Sequence, residues 1–301
     1  MNKLTKYGLT ALAGSLVATS VSAGEMAVSG GWSWSYDSAD SDESGNPMSM
    51  GNSVTFTGSG ETDQGWTATY KMELDHGYSG YDDQSLTLDM GDSGKLVFSG
   101  ASVTPGGIHL VNDIVPAADT PVYSMTDTAT AYGIARGADA AGNLGYTLSM
   151  GDFTVSAEMQ KGAGTDRSYG IKYTGIEGLT LVAGQGDIDP GKVAGETQET
   201  TIGVSYAVGG ATIAYQQTDI EYPGAGSADE DSSHMGVSFA VNDDLTVSYA
   251  TQKTDITGKG EDETNSGFGV SYSMGSMSVA AYAGKTENGN GASASDDEGK
   301  G

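Results

Sequence analysis

Cysteine is absent from this 301-residue chain, and 13 lysines and arginines stand against 40 aspartates and glutamates, a formal net charge of -27. Without cysteine the protein has no disulfide framework, no zinc–thiolate site and no cysteine nucleophile. A chain this acidic does not bind nucleic acid through phosphate contacts. Only 6 prolines occur, beside 47 glycines and 16 tyrosines. This composition favours many short strands with tight turns over helices.

Catalytic signatures are also missing. His76, His109 and His234 are the only histidines, and none has the spacing of a metal ligand or of the base beside a nucleophile. Serine and aspartate are so abundant that a triad drawn from them would be chance. Gly58-Ser59-Gly60 and similar pairs fall inside candidate strands rather than at strand-to-helix turns, where a phosphate loop would need them. We therefore predict a protein that is not an enzyme and has no cofactor.

Long apolar runs are lacking after residue 23. Before it, Lys3 and Lys6 form a positive start, residues 9–21 are mostly apolar, and Val21-Ser22-Ala23 matches a small-x-small cleavage site. The apolar run is shorter than the roughly 20 residues of a spanning helix. Residues 1–23 are thus predicted to be a signal peptide, and any passage through a membrane must use strands.

From Glu25 onward, apolar and polar residues alternate in segments about as long as a tilted membrane strand. In 66–75 the even positions are apolar and the odd ones polar, so a strand there has one apolar and one polar face. Fifteen strands are predicted: 25–36, 52–61, 66–75, 83–90, 95–101, 143–150, 153–160, 167–174, 179–186, 200–208, 211–220, 233–241, 245–254, 265–274 and 277–286.

The connections between these segments alternate between short and long. The short ones are 62–65, 91–94, 151–152, 175–178, 209–210, 242–244 and 275–276. The long ones are 37–51, 76–82, 102–142, 161–166, 187–199, 221–232 and 255–264. A meander with short turns at one end and long loops at the other is typical of an outer-membrane barrel. We therefore predict an all-β, transmembrane, antiparallel up-and-down β-barrel over residues 24–286.

Aromatic residues lie near six of the seven short turns, on the apolar face: Trp66, Phe153, Tyr173, Tyr206, Phe239 and Tyr272. Rings at that level form the interfacial girdle of a membrane barrel, whereas a soluble β-sandwich would collect them mid-strand around a core. The polar face carries mostly small residues, among them Thr55, Gly203 and Gly236. Small inward residues predict a wide, water-filled lumen.

Three stretches resemble the sixteen-stranded general-diffusion porins of Gram-negative bacteria, most of all the Rhodobacter-like porins of marine and photosynthetic alphaproteobacteria. The exported start ends in Val-Ser-Ala-Gly-Glu-Met, residues 80–100 read GYDDQSLTLDMGDSGKLVFSG, and a very long connection, 102–142, follows the fifth predicted strand. The resemblance implies a homotrimer in the outer membrane, bounded by lipid and lipopolysaccharide. It also implies a third long loop, 102–142, that folds inward to form a constriction.

The strand count departs from the family's pattern. Single-chain bacterial barrels have even numbers of strands, and these porins end on a strand with a terminal aromatic residue. Here residues 287–301 read as an extracellular loop with no returning strand. The sequence therefore predicts sixteen strands of which fifteen are visible, with truncation before the last. The alternative is a further short strand within 102–142, at Thr130 to Arg136.

The predicted pore residues are charged, since ion selectivity comes from facing clusters of charge. Asp113 and Asp119 flank the stiff segment Ile114-Val115-Pro116, which would hold them against the lumen; the alternative is a solvated loop tip. The predicted constriction comprises Asp113, Asp119, His109 and Arg136. By strand parity, the predicted lumen-facing charges are Lys71, Glu73, Asp75, Lys95, Glu158 and Lys172. Basic inward residues are sparse, so the sequence predicts a preference for cations.

The predicted function is passive diffusion of small hydrophilic solutes and ions through the outer membrane. The alternatives are an exported β-rich surface or adhesion protein, and a barrel plugged by its own loop. Acidic clusters in the long loops could share structural Ca²⁺, and the candidate ligands are Asp187, Asp189, Asp229, Glu230 and Asp231. A solvated negative surface accounts for the same clusters, because no segment matches an EF-hand loop.

Overall fold

The computed structural model describes residues 9–10, 16–17, 25–36, 38–39, 48–75, 83–101, 105–111, 114–116, 142–161, 165–188, 197–224, 228–292 and 296–300. Fifteen long strands follow one another, and each pairs antiparallel with the next. They are β1 (Glu25–Tyr36), β2 (Met48–Glu61), β3 (Thr67–Asp75), β4 (Gln84–Asp89), β5 (Lys95–Ala101), β6 (Asn143–Met150), β7 (Phe153–Lys161), β8 (Thr165–Ile176), β9 (Leu179–Ile188), β10 (Thr197–Val208), β11 (Ala211–Glu221), β12 (Glu230–Ala240), β13 (Leu245–Ile256), β14 (Glu263–Met274) and β15 (Met277–Glu287). No helix among these described residues has both the length and the apolar character needed to cross a bilayer.

Ten of the fifteen strands run further toward the long loops than the sequence predicts. β2 begins at Met48 rather than at residue 52, β10 at Thr197 rather than 200, and β12 at Glu230 rather than 233. The prediction ended each strand where the apolar alternation ended. Backbone pairing needs no apolar side chain, so the ladder continues past the end of the apolar alternation.

Six of the seven short turns, all except 242–244, contain a glycine with a positive φ, a conformation that other residues avoid. Gly209 and Gly210, between β10 and β11, have φ values of 58° and 85°. Two consecutive positive φ values fit the type I′ turn, whose twist matches that of the flanking strands. A two-residue connection of this kind fixes the register of the hairpin, and here Val208 pairs with Ala211.

The two faces of the sheet are reversed relative to a soluble protein. Along β11, Ile213 and Tyr215 are 54% and 41% exposed, while Ala214, Gln216 and Thr218 are buried. Large apolar side chains point outward on almost every strand, and most of the buried side chains of the described residues are polar. A soluble sandwich would bury the opposite face, whereas a barrel in lipid presents this one.

The two edges of the sheet, β1 and β15, meet only short partners. Leu9–Thr10 and Leu16–Val17 pair with β1. Asp297–Lys300 pairs with β15 and with Ser38–Ala39. Among the described residues no ladder joins β1 directly to β15, so the sheet is not closed. Fifteen long strands match the predicted number, and the sixteenth stays a prediction. The alternative strand at 130–136 lies outside the described residues.

Candidate pore constriction

Part of the long connection between β5 and β6 lies on the polar face of the sheet. This inward segment comprises residues 105–111 and 114–116, and Gly107–Leu110 forms one turn of 3₁₀ helix within it. Ile108, Val111 and Val115 are buried. The polar face is therefore the inner face.

Three hydrogen bonds fix the inward segment to the wall. The backbone N–H of Gly107 donates to Ser156 Oγ at 2.9 Å, and that of Ile108 donates to Ser168 Oγ at 3.0 Å. Further along, Gln216 Nε2 donates to the carbonyl oxygen of Val111 at 3.2 Å. All three bonds are buried, where losing one partner leaves a polar group without solvent to replace it.

Two small apolar clusters continue the contact. Ile108 and Val111 pack with Val182 of β9, and Leu110 and Ile114 pack against that cluster. Val115 packs with Ala214 of β11, and Ile114 also contacts this second cluster. Apolar groups on the inner face of the wall are thus covered by the segment rather than by water.

A buried polar cluster stands behind the segment. Glu158 Oε1 accepts a hydrogen bond from Asn143 Nδ2 at 2.7 Å, and Glu158 Oε2 accepts one from Ser168 Oγ at 3.3 Å. His109 Nε2 lies 3.8 Å from Glu158 Oε2, with only 8% of the His109 side chain exposed and none of Glu158. The structure thus brings together two predicted site residues, but in contact with each other rather than on open solvent.

Other charges line the part of the inner face formed by β2 to β5. Lys71 Nζ lies 3.4 Å from Glu73 Oε2, which also accepts a hydrogen bond from Thr55 Oγ1 at 3.4 Å. Lys95 Nζ lies 3.1 Å from Asp89 Oδ2. Strand register places the remaining predicted lumen charges, Asp75 and Lys172, on the same polar face.

Three of the four predicted constriction residues lie outside the described residues. They are Asp113, Asp119 and Arg136, and their role stays a prediction. Only His109 is described, in the 3₁₀ turn.

The predicted aromatic girdle lies at the short-turn end of the strands. Phe153 faces Tyr173 across β7 and β8, with ring centroids 4.8 Å apart and the rings tilted by 42°. Tyr206, Phe239 and Tyr272 are outward and 41–46% exposed, and Trp66 directly precedes β3. Such rings suit the lipid–water interface, because they combine an apolar body with a polar or polarisable edge.

The candidate calcium ligands do not converge within the described part of the chain, where no three acidic or histidine side chains are grouped to hold a metal. Asp229 Oδ1 accepts a hydrogen bond from the backbone N–H of Tyr222 at 2.8 Å, and Glu230 Oε1 accepts one from the hydroxyl of the same tyrosine at 2.7 Å. Asp231 lies on the face of the sheet opposite to Glu230, where it is paired in register with Asp219 of β11. Asp187 is on β9, and Asp189 lies outside the described residues.

Sequence reasoning missed the wall residues that receive the segment. The sequence predicts that Gly203 and Gly236 line a water-filled lumen, but Ile114 lies against the first, and Val115 and Pro116 lie against the second. No pattern in the sequence distinguishes Ser156, Ser168 and Gln216 from other polar residues of the inner face. Glycines facing inward on successive strands were the available signal, and their meaning depends on a segment distant in sequence.

Comparison with protein families matches the chain to Gram-negative porins over residues 8–292. No curated protein matches it by sequence. Among solved structures it is similar to in-vitro folded OmpT, an outer membrane protein of Vibrio cholerae, at 14% identity and a TM-score of 0.67, with 94% of this chain and 98% of that chain covered. It is also similar to a porin refined at 1.8 Å resolution, at 19% identity and a TM-score of 0.68, covering 92% and 98%. A third match is the anion-selective porin from Comamonas acidovorans, at 16% identity and a TM-score of 0.63, covering 92% and 98%. The predicted fold class and the resemblance to porins are confirmed.

Proposed function

Since this chain belongs to the Gram-negative porin family and is an outer-membrane protein, we propose that it is a passive, cation-preferring channel for small hydrophilic solutes and ions. The observation that carries the proposal is the uneven cover of the inner face. The inward segment lies over β6 to β12, while the hydroxyl-lined inner face of β1 to β3 stays partly exposed. A polar, accessible wall opposite an inward segment is the arrangement of a narrowed aqueous pore.

The cation preference is supported by the charges of the exposed wall. The inner face of β2 to β5 carries Glu61, Glu73, Asp75 and Asp89 against Lys71 and Lys95. Each of these two lysines is ion-paired, with Glu73 and with Asp89. Four carboxylates against two lysines leave this part of the wall with a net negative charge, which sets the sign of the local field.

The proposal includes a homotrimer surrounded by outer-membrane lipid and lipopolysaccharide. One similar structure of the Vibrio cholerae protein is a trimer form. Heterologous contacts around a three-fold axis would use outward apolar surface of the kind seen here. No chemical reaction is proposed, because the work of such a pore is to let solutes diffuse.

The test is conductance of the purified chain, refolded in detergent and added to a planar bilayer, with mock-refolded detergent as the control. We expect stepwise openings, in groups of three for a trimer. In a KCl gradient we expect the dilute side to become positive. A dilute side that becomes negative would overturn the cation preference but not the channel function. A correctly folded protein that never conducts would favour the plugged barrel over the open pore.

A further inference from the structure

At five places where the inward segment lies close against the wall, the wall residue is a glycine that faces inward. This glycine track has one member on each of five strands, namely Gly145 on β6, Gly170 on β8, Gly184 on β9, Gly203 on β10 and Gly236 on β12. The order of the strands follows the order of the segment, from Pro105 at Gly145 to Pro116 at Gly236.

None of these positions has room for a side chain. A Cβ on Gly184 would lie 2.7 Å from Val111 Cγ2, and one on Gly236 would lie 2.6 Å from the carbonyl oxygen of Pro116. On Gly145 and Gly170 it would collide with the backbone carbonyl oxygens of Pro105 and Gly107. Carbon atoms pack at about 3.5–4.0 Å, so the segment rests on the bare backbone of the wall.

The backbone itself does not require glycine at these five positions, because none has the positive φ found at Gly209. Glycine inside a strand weakens the strand and often marks the close approach of another backbone. Backbone of the segment approaches Gly145, Gly170 and Gly236, and side chains of the segment approach Gly184 and Gly203. The cause of the glycines is therefore the segment, and not the local conformation of the strands.

The track runs diagonally across the ladder. Following the paired residues from β6 across to β12, Gly145 corresponds to Glu230. The glycine of the track on β12 is instead Gly236, which lies six residues nearer the short turns. Strands of such barrels are tilted by roughly 35–45°, so a path at constant height must shift along the ladder in this way. The diagonal of glycines thus marks the path along which the segment lies across the inner face of the wall.

The segment is held to the wall along this path. Buried hydrogen bonds join Gly107, Ile108 and Val111 to wall side chains, and Ile108, Val111 and Val115 pack in apolar clusters with wall residues. A displacement at one glycine is therefore not absorbed by a loose loop and must move the segment away from the wall.

We propose that the glycine track sets the width of the pore, and that its members are the wall's specificity-determining positions for solute size. This inference rests on the proposed function. Any side chain at Gly145, Gly170 or Gly236 would push backbone of the inward segment toward the pore axis and narrow the opening. At Gly203 the opposing atom is Ile114 Cδ1, the end of a flexible side chain, so a substitution there would act less.

The first test compares Gly170→Ala with Gly31→Ala in planar bilayers. Gly31 faces inward on β1, and a Cβ there would meet nothing within 4 Å, so it is the matched control. Because the segment must retreat by about 1 Å to restore contact distances, we expect Gly170→Ala to lower single-channel conductance by roughly a tenth to a third. Neutral polymers near the size limit should also be excluded more strongly. Equal conductance and size limit in the two variants would overturn the proposal.

A second test does not depend on conduction. The chain has no cysteine, so Val111→Cys combined with Val182→Cys gives a single possible crosslink. Val111 of the segment and Val182 of β9 belong to the same buried apolar cluster, and a cysteine at each adds no side chain at a glycine, so a disulfide can form without displacing the segment. We expect rapid oxidation of this pair in the folded protein and none for Val111→Cys with Gly31→Cys.

The two tests distinguish failure of the glycine-track proposal from failure of the proposed channel function. Absence of the crosslink in folded protein would mean that the segment does not lie against the wall as described, and would overturn the role of the glycine track. A protein that shows no conductance but forms the crosslink would contradict the proposed channel function, while the position of the segment on the wall would still be supported.

Discussion

The inner face of β1 to β3 and the inner face of β7 to β13 carry similar residues but have different surroundings. In the first region, Thr55 and Thr57 are only partly buried. In the second, Thr218 and Thr254 are fully buried, and their hydroxyls lie 2.9 Å from Thr201 and 2.8 Å from Ser232. A face of small polar residues can therefore line water or form a packed wall. What covers the face decides between the two.

The largest expected difference between these regions is chemical accessibility. Thr57→Cys and Thr218→Cys make the same substitution on inner faces with different cover. We expect a charged thiol reagent to modify Thr57→Cys quickly and Thr218→Cys roughly a hundredfold more slowly, since the latter needs local opening at about 3 kcal/mol. Loss of conductance on adding reagent would report the rate, and denatured protein serves as the control. Similar rates would mean that the second wall is wet.

The next difference is in stability. Glu158→Ala removes the acceptor of a buried Asn143 amide and of Ser168, and should lower the free energy of unfolding by about 1–3 kcal/mol. Glu73→Ala breaks an ion pair whose lysine is 42% exposed, so it should cost less than about 1 kcal/mol. Urea unfolding from lipid vesicles would measure both. Equal losses would contradict a buried role for Glu158.

The smallest difference concerns ion selectivity. Here we expect the larger effect from Glu73→Ala and the smaller one from Glu158→Ala, the reverse of their effects on stability. A unit charge about 8 Å from a passing ion in water is worth about 0.5 kcal/mol, a roughly twofold effect on permeability. Glu73→Ala should lower the cation-to-anion permeability ratio by that amount, measured as a reversal potential in a salt gradient. Glu158→Ala should leave the ratio unchanged, because its carboxylate is sealed behind the segment. A larger effect from Glu158 would place that residue in the ion path.

Much of the architecture could be predicted because its causes are local. Alternation of apolar and polar residues gave the number of strands, and Gly151-Asp152 and Gly209-Gly210 gave two turns to the residue. Ten of the fifteen ends toward the long loops were predicted too short, as at Met48 of β2. Pairing there depends on the neighbouring strand and not on an alternating pattern.

The candidate site could be predicted only in part. Strand parity placed Lys71, Glu73 and Glu158 on the polar face. Parity could not tell that Glu158 would be buried against His109 while Lys71 stayed accessible. That difference comes from a segment folded back from residues 105–116, whose path no periodicity encodes.

The sequence by itself determined a membrane-type strand meander with an apolar outer face, since side-chain alternation and turn chemistry act over a few residues. Only the tertiary structure decided which part of the polar face is wall and which part lines the opening. That choice depends on contacts between Gly170 or Gly236 and a segment far away in sequence. Such contacts are made by packing and buried hydrogen bonds, which form only when the chain is folded.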